Sequence, residues 1–104
     1  MKRSYESYDM KQRVKVKDLQ DIPNVGPAIE RDLIHIGVMD PVSLIGRDPY
    51  QMYDELCAAT ASRHDPCVID VFISAVRYME GAPAKKWWEY TGERKAHMAG
   101  IRDG

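Results

Sequence analysis

No run of about 18 apolar residues, the length that would cross a bilayer, occurs in this chain, and its first residues lack the apolar stretch of an export signal. A cytoplasmic protein without a membrane partner is the expectation. Cysteine is scarce, with 2 in 104 residues, too few for a disulfide framework and read as reduced thiols. There is no glycine-rich phosphate loop of the P-loop or dinucleotide type, no nucleophile elbow, and no carboxylate pair spaced for acid–base work. An enzyme is therefore not expected. Strong charge of one sign is missing too. The formal net charge is -1 at pH 7, which is not the electropositive body of a strong DNA binder. Repeats and low-complexity tracts are absent.

What is present is a single-domain composition with marked helix punctuation. Hydrophobic residues make up 44% and charged residues 30%, enough for a modest core and well away from disorder. Charge is uneven along the chain. Residues 1–17 carry a local +4, both middle segments (18–38 and 39–84) are acidic, and residues 85–104 carry +2. Phosphate binding would require these basic ends to be brought beside the binding loop.

The segment from Leu19 to Ile29 reads L-Q-D-I-P-N-V-G-P-A-I. Pro23 cannot continue a helix and pushes Ile22 towards an extended conformation. Asn24 and Gly26 are the residue types that most readily take positive φ, so the chain can reverse here. Pro27 suits the first position of a second helix, where its missing N–H would have had no partner. The result is a helix N-terminus opening from a loop of little side-chain bulk, with free amides suited to an anion.

This stretch resembles the helix-hairpin-helix motif of DNA repair and recombination proteins, whose hairpin reads roughly I-P-G-V-G-P. The resemblance implies that the amides of Asn24, Gly26 and Ala28 hold consecutive DNA phosphates without reading bases. It also implies that the carbonyls of Gln20, Ile22 and Val25 can hold a monovalent cation, with Lys17 and Arg31 as auxiliary basic residues. Two departures stand out. Asn24 replaces a preferred glycine, so its side chain is expected to narrow the approach for a phosphate. On the following helix Arg31 is flanked by Glu30 and Asp32.

Further along, Ile29, Leu33 and Ile36 make an apolar stripe that Gly37 ends. Asp40-Pro41, Asp48-Pro49 and Asp65-Pro66 are three start signals, each an N-cap residue followed by proline at the first helical position. They predict a short helix through Val42, Leu44 and Ile45, a second with Met52, Leu56 and Ala59 on one stripe and Tyr50, Tyr53 and Cys57 beside it, and a third running to Gly81. The third is apolar on nearly every side and is read as the central helix in preference to half of a dimer interface. Its polar residues Asp70, Ser74 and Arg77 fall on one line, read as its solvent line, with Asp70 and Arg77 also able to pair with neighbours. Residues 1–13 are expected to be a flexible basic tail, residues 14–90 the helical domain, and residues 91–104 a frayed tail. One of the adjacent Trp87 and Trp88 should cap the core and the other lie partly exposed.

Asp48-Pro49, Tyr53 to Cys57, His64 to Val68, and Trp87-Trp88, in that order after the hairpin, resemble the small bacterial helix-hairpin-helix proteins labelled pathogenicity locus or mitomycin resistance protein. A looser likeness runs to the C-terminal domain of bacterial competence regulators. Together these imply an all-α fold, a helix-hairpin-helix unit plus two or three helices around one core in the SAM-like manner, and an association with DNA.

Three functional readings follow. The first is sequence-independent DNA binding by a non-enzymatic module. The second is a protein-interaction or scaffold module, as a homodimer or with another partner, that uses the hairpin as structure. The third is a thiol or metal function at Cys57, His64 and Cys67, a set with no evident fourth ligand and more simply read as core thiols; no other cofactor is expected. Cys67, near a helix N-terminus, is expected to have a lowered pKa if exposed. Lys85, Lys86, Trp87, Trp88 and Tyr90 set basic residues beside aromatics, a pattern that can also serve single-strand stacking. The segment Leu44 to Pro49 is the best candidate for a second hairpin, but it lacks the glycine pattern and puts Asp48 where a phosphate would sit.

Overall fold

The computed structural model describes residues 13–103, with side chains through residue 100. Each aspartate that precedes a proline caps the turn after it. Asp40 Oδ1 accepts from the Ser43 amide at 3.1 Å, Asp48 Oδ1 from Tyr50 at 2.9 Å, and Asp65 Oδ1 from Cys67 at 2.8 Å. Such caps satisfy amides that a helix start leaves without partners. They open a 3-10 turn over Pro41–Leu44 and the helices Pro49–Thr60 (α2) and Cys67–Met79 (α3). The helix before them, Pro27–His35 (α1), follows a 3-10 turn at Leu19–Asp21 and has Pro27 at its first position.

Glycine ends two of these helices. After α1, Gly37 has φ 85 and donates to Ile34 O, while Val38 donates to Leu33 O. After α3, Gly81 has φ 105 and donates to Tyr78 O, while Ala82 donates to Arg77 O. Both are the paired closing bonds of a Schellman motif, which requires a left-handed residue where glycine has no Cβ penalty.

α3 is the centre of the molecule. Nine of its 13 residues are buried, including Phe72, Ile73 and Met79. Met52, Tyr53 and Leu56 of α2, Leu33 of α1, and Leu44 pack into the same core. The inner face of α2 thus takes in Tyr53, and Ala59, expected on its stripe, is exposed instead. Leu19, Ile22 and Val25 pin the first turn and the loop after it from below. Each such side chain contributes on the order of 1.5–3 kcal/mol by burial, so the loop backbone is held on a rigid floor.

The chain beyond Tyr90 differs from expectation. Residues Thr91–Asp103 form a helix (α4) in place of a frayed end. It is poor in apolar residues because its attachment is polar. Asp70, fully buried, accepts from Thr91 Oγ1 at 2.7 Å and from Arg94 Nε at 2.8 Å. Arg77 Nη2 meets Glu93 Oε2 at 2.6 Å, and the His97 ring stacks on Tyr50 with centroids 3.6 Å apart. Asp70 and Ser74 therefore face polar neighbours rather than solvent, while Arg77 pairs with Glu93 at the surface, 36% of its side chain exposed. The expected basic tail lies outside the described residues except for Arg13, which is anchored. Its Nε donates to Tyr78 O at 2.9 Å, and its guanidinium lies 4.0 Å from the Tyr78 ring centroid.

Candidate nucleic-acid interface

Between the Leu19–Asp21 turn and α1 the chain reverses in five residues. Ile22 and Val25 are buried, and the Val25 amide closes the turn on Ile22 O at 3.1 Å. Asn24 sits at φ 72, the left-handed region that asparagine tolerates better than most residues. Gly26 does not use its freedom. It is extended at φ -102, ψ -171 and caps α1, because a residue before proline is driven to that region. A Cβ at Gly26 would meet nothing within 4 Å, so its surroundings are open.

Among the described residues the amides of Asn24, Gly26 and Ala28 donate no hydrogen bond, and the first bond of α1 runs from Glu30 N to Gly26 O at 2.9 Å. Those of Gly26 and Ala28 are donors that a helix start leaves over, and that of Asn24 belongs to the turn before it. The carbonyls of Gln20 and Val25 accept no backbone bond outside helices, and that of Ile22 accepts one and retains a lone pair. Open carbonyl oxygens are the ligand type that hard cations take.

The Asn24 side chain does not lie across the loop as anticipated. Its Nδ2 donates to Ser74 Oγ at 2.8 Å and to Lys85 O at 2.7 Å, which ties the hairpin to α3 and to the segment before Trp87. Ser74, read earlier as solvent-facing, is buried and is the hairpin anchor that sequence reasoning missed. Its position one turn from Asp70 on a buried helix was the signal available.

The same link draws positive charge to the hairpin. Pro23, Asn24, Ala84, Lys85, Lys86 and Glu89 line one recess of about 390 Å³. Glu89 is partly engaged, its Oε2 accepting from the Lys86 amide at 2.9 Å. Lys17 is exposed beside Lys15, Asp18 and Asp21 in a separate recess, and Arg31 is exposed on α1. The carboxylate of Glu30 is drawn aside to Gln20 Nε2 at 2.9 Å.

The turn at Gly46, the candidate second hairpin, is internally satisfied. Gly46 has φ 82, and its amide donates to Glu80 Oε2 at 3.0 Å. The chain's own carboxylate stands where an external anion would have to bind.

A family model described as Pathogenicity locus matches residues 12–96. The chain belongs to that family. Mitomycin resistance protein McrB of Streptomyces lavendulae is 43% identical to it over 83 residues, 80% of this chain and 79% of the relative. No solved structure matches it. The span matched by the pathogenicity-locus model takes in the hairpin, its anchor Ser74 and the Lys85–Trp88 segment together.

In this family member the thiol set is not assembled. Among the described residues no three His, Cys, Asp or Glu side chains are grouped to hold a metal ion. The His64 ring is engaged by Thr60 Oγ1 at 2.8 Å, and Tyr53 donates its hydroxyl to the His64 carbonyl. Cys57 and Cys67 are both free and half-buried. Cys67 runs against expectation: a hydrogen bond to Asp65, then burial and the nearby carboxylates, push its thiol up rather than down. The carboxylate two residues away is the first of these causes. Burial and a bond with Cys57 likewise raise the Tyr53 phenol. A cavity of about 640 Å³ between α2 and Met98 is lined by Tyr50, Tyr53 and Cys57, away from the hairpin. No helix among the described residues is long and apolar enough to cross a membrane.

Proposed function

We propose that this chain is a small non-enzymatic module of helix-hairpin-helix type that binds DNA without reading its sequence. The amides of Asn24, Gly26 and Ala28 hold consecutive phosphates of one strand, with Lys17 and Arg31 as auxiliary cations. The disposal of the Asn24 side chain carries this reading. With its carboxamide spent on Ser74 and Lys85, a residue that would have crowded a phosphate serves as glycine would. Lys85 and Lys86 in the adjoining recess supply the positive charge that α1 lacks. The carbonyls of Gln20, Ile22 and Val25 would hold a monovalent cation, whose charge would offset that of the phosphate.

One hairpin makes only about two or three phosphate contacts, so affinity is low and falls steeply with salt, log K dropping by about 0.9 per contact for each decade on a duplex. Anisotropy of a labelled oligonucleotide, titrated between about 50 and about 200 mM salt, tests this with wild type and Gly26→Val. The backbone at Gly26 is extended and a Cβ there meets no neighbour, so the fold is expected to survive while the mouth of the hairpin fills. Binding that weakens with salt and vanishes in Gly26→Val supports the mechanism. A salt-insensitive signal, or one that the valine leaves intact, rejects it.

A protein-interaction reading has its own observation. Ile34, Met39 and Val42 are exposed within nine residues around the end of α1, and exposed apolar groups of this kind mark contact surfaces when contiguous. A stable dimer on sizing chromatography, with no oligonucleotide binding, would favour it.

A further inference from the structure

We propose that the occupant of this interface is single-stranded nucleic acid, one base stacking on Trp88 while the flanking phosphates lie along Lys85, Lys86 and the hairpin. The inference rests on the phosphate-binding reading of the hairpin and adds the form of the substrate to it.

Among the described residues Trp88 is the aromatic in the set of large hydrophobic side chains left exposed, with 57% of its surface accessible. The core does not need it, because the capping role expected of a tryptophan is taken by Tyr90, which is buried. The exposure is nonetheless built. The 3-10 turn Trp87–Tyr90 is closed by reciprocal bonds, Lys86 N to Glu89 Oε2 at 2.9 Å and Glu89 N to Lys86 O at 3.0 Å. Trp87, half-buried, meets the Trp88 ring edge-on with centroids 5.6 Å apart and planes at 84°. An edge-on neighbour braces an indole and leaves a face open. That is the geometry of a stacking platform.

Its position matters as much as its exposure. Asn24 Nδ2 holds Lys85 O at 2.7 Å, so the residue three before Trp88 is fixed to the residue whose amide faces a phosphate. Two lysines and one glutamate give the recess between them a net positive charge. Base on aromatic and backbone on cations is how single strands are held without sequence preference.

Duplex DNA fits less well. Its base faces are already stacked, so Trp88 has nothing to receive. A second strand would also need a second open set of amides, and the Gly46 turn spends its amide on Glu80.

Anisotropy with a labelled oligo-dT single strand and a duplex of equal length, at one low salt concentration, tests the proposal on wild type, Trp88→Ala, Trp88→Phe and Gly26→Val. The single strand should bind about tenfold more tightly than the duplex. Trp88→Ala should cost the single strand roughly tenfold or more, Trp88→Phe less, and neither should move the duplex. Oligo-dT should also quench the wild-type tryptophan emission. Equal affinity for both forms overturns the proposal. So does a Trp88→Ala protein that binds within twofold of wild type while Gly26→Val does not bind, and in that case the phosphate reading stands alone. No binding of either oligonucleotide by wild type removes both.

Discussion

The carboxamide of Asn24 donates to the carbonyl of Lys85, 2.7 Å away and 61 positions further along the chain. The same nitrogen donates to Ser74 Oγ at 2.8 Å, so both of its hydrogens are used. Three segments that are distant in sequence are thereby locked together: the hairpin, the central helix and the basic turn before Trp87. The asparagine is an internal bracket as well as a left-handed turn residue.

Asn24→Gly separates those two roles. It keeps φ 72 without strain but loses both hydrogen bonds and leaves the buried Ser74 hydroxyl without its donor. A loss of about 1–2 kcal/mol is expected, read as a lowered urea midpoint with unchanged slope. Asn24→Ala should cost about 1 kcal/mol more, since alanine pays for the left-handed backbone as well. Equal stability of the two variants would mean that the bracket, not the left-handed backbone, is what asparagine supplies.

Arg94→Ala should detach α4. Asp70 has no exposed side-chain surface, and Arg94 only 13%. The carboxylate also holds the guanidinium above its ordinary pKa through their hydrogen bond. Removing one partner of a buried pair leaves a charge uncompensated and costs about 3–5 kcal/mol. Hydrogen exchange should accelerate across residues 91–100 first, with thermal unfolding shifted well down. Arg94→Lys should recover little of this, because an ammonium does not reproduce the guanidinium geometry.

That pair also shows where the sequence was legible and where it was not. The starts at Asp40, Asp48 and Asp65 and the stops at Gly37 and Gly81 were readable, because each is a local rule acting within one turn of backbone. The partners that Asp70, Ser74 and Arg77 would find were not. Their partners Arg94, Asn24 and Glu93 lie 24, 50 and 16 positions away, and a polar stripe on an apolar helix looks the same whether it faces water or a polar neighbour. The helix after Tyr90 was hidden for the same reason. Its packing is by charge, and apolar periodicity reports nothing about that. At the hairpin, residue types and the turn were legible. The destination of the Asn24 side chain and the nearness of Lys85 depend on long-range packing and were not.

Cys67 gives a pH-dependent prediction. Its thiol is held up chiefly by the hydrogen bond to Asp65, so at mildly alkaline pH less of it is thiolate than in a free cysteine, and labelling in a Cys57→Ser background should be slow. Asp65→Asn removes the anionic acceptor and should speed labelling. The reverse sign holds for Asp65 itself, whose carboxyl is held down first by the Cys67 backbone amide and then by the thiol. Its stabilising contribution is complete above the ordinary carboxylate range and is lost as pH falls through its lowered value. Acid titration of stability should therefore be shallower in Asp65→Asn. A labelling rate unaffected by that substitution would show that the thiol is governed by burial alone.

Replacing Lys85 and Lys86 together by glutamine leaves the fold intact, since the bonds that fix this turn come from Lys85 O and Lys86 N and O. The substitutions remove the two charges and the Lys85 contact with the Tyr90 ring. If both ammonium groups contact phosphates, the slope of log K against log salt for a single strand should fall by about 1.4, at about 0.7 per contact. Affinity should drop for every oligonucleotide sequence alike, because these contacts position the strand and read nothing. The measurement also divides the labour within the recess. A slope lower by about 0.7 would assign one lysine to phosphate. The other would then be Lys85, whose ammonium lies 5.6 Å from the centroid of the Tyr90 ring and is already engaged there. An unchanged slope would put the strand elsewhere, with the recess beside Asn24 playing no part in holding it.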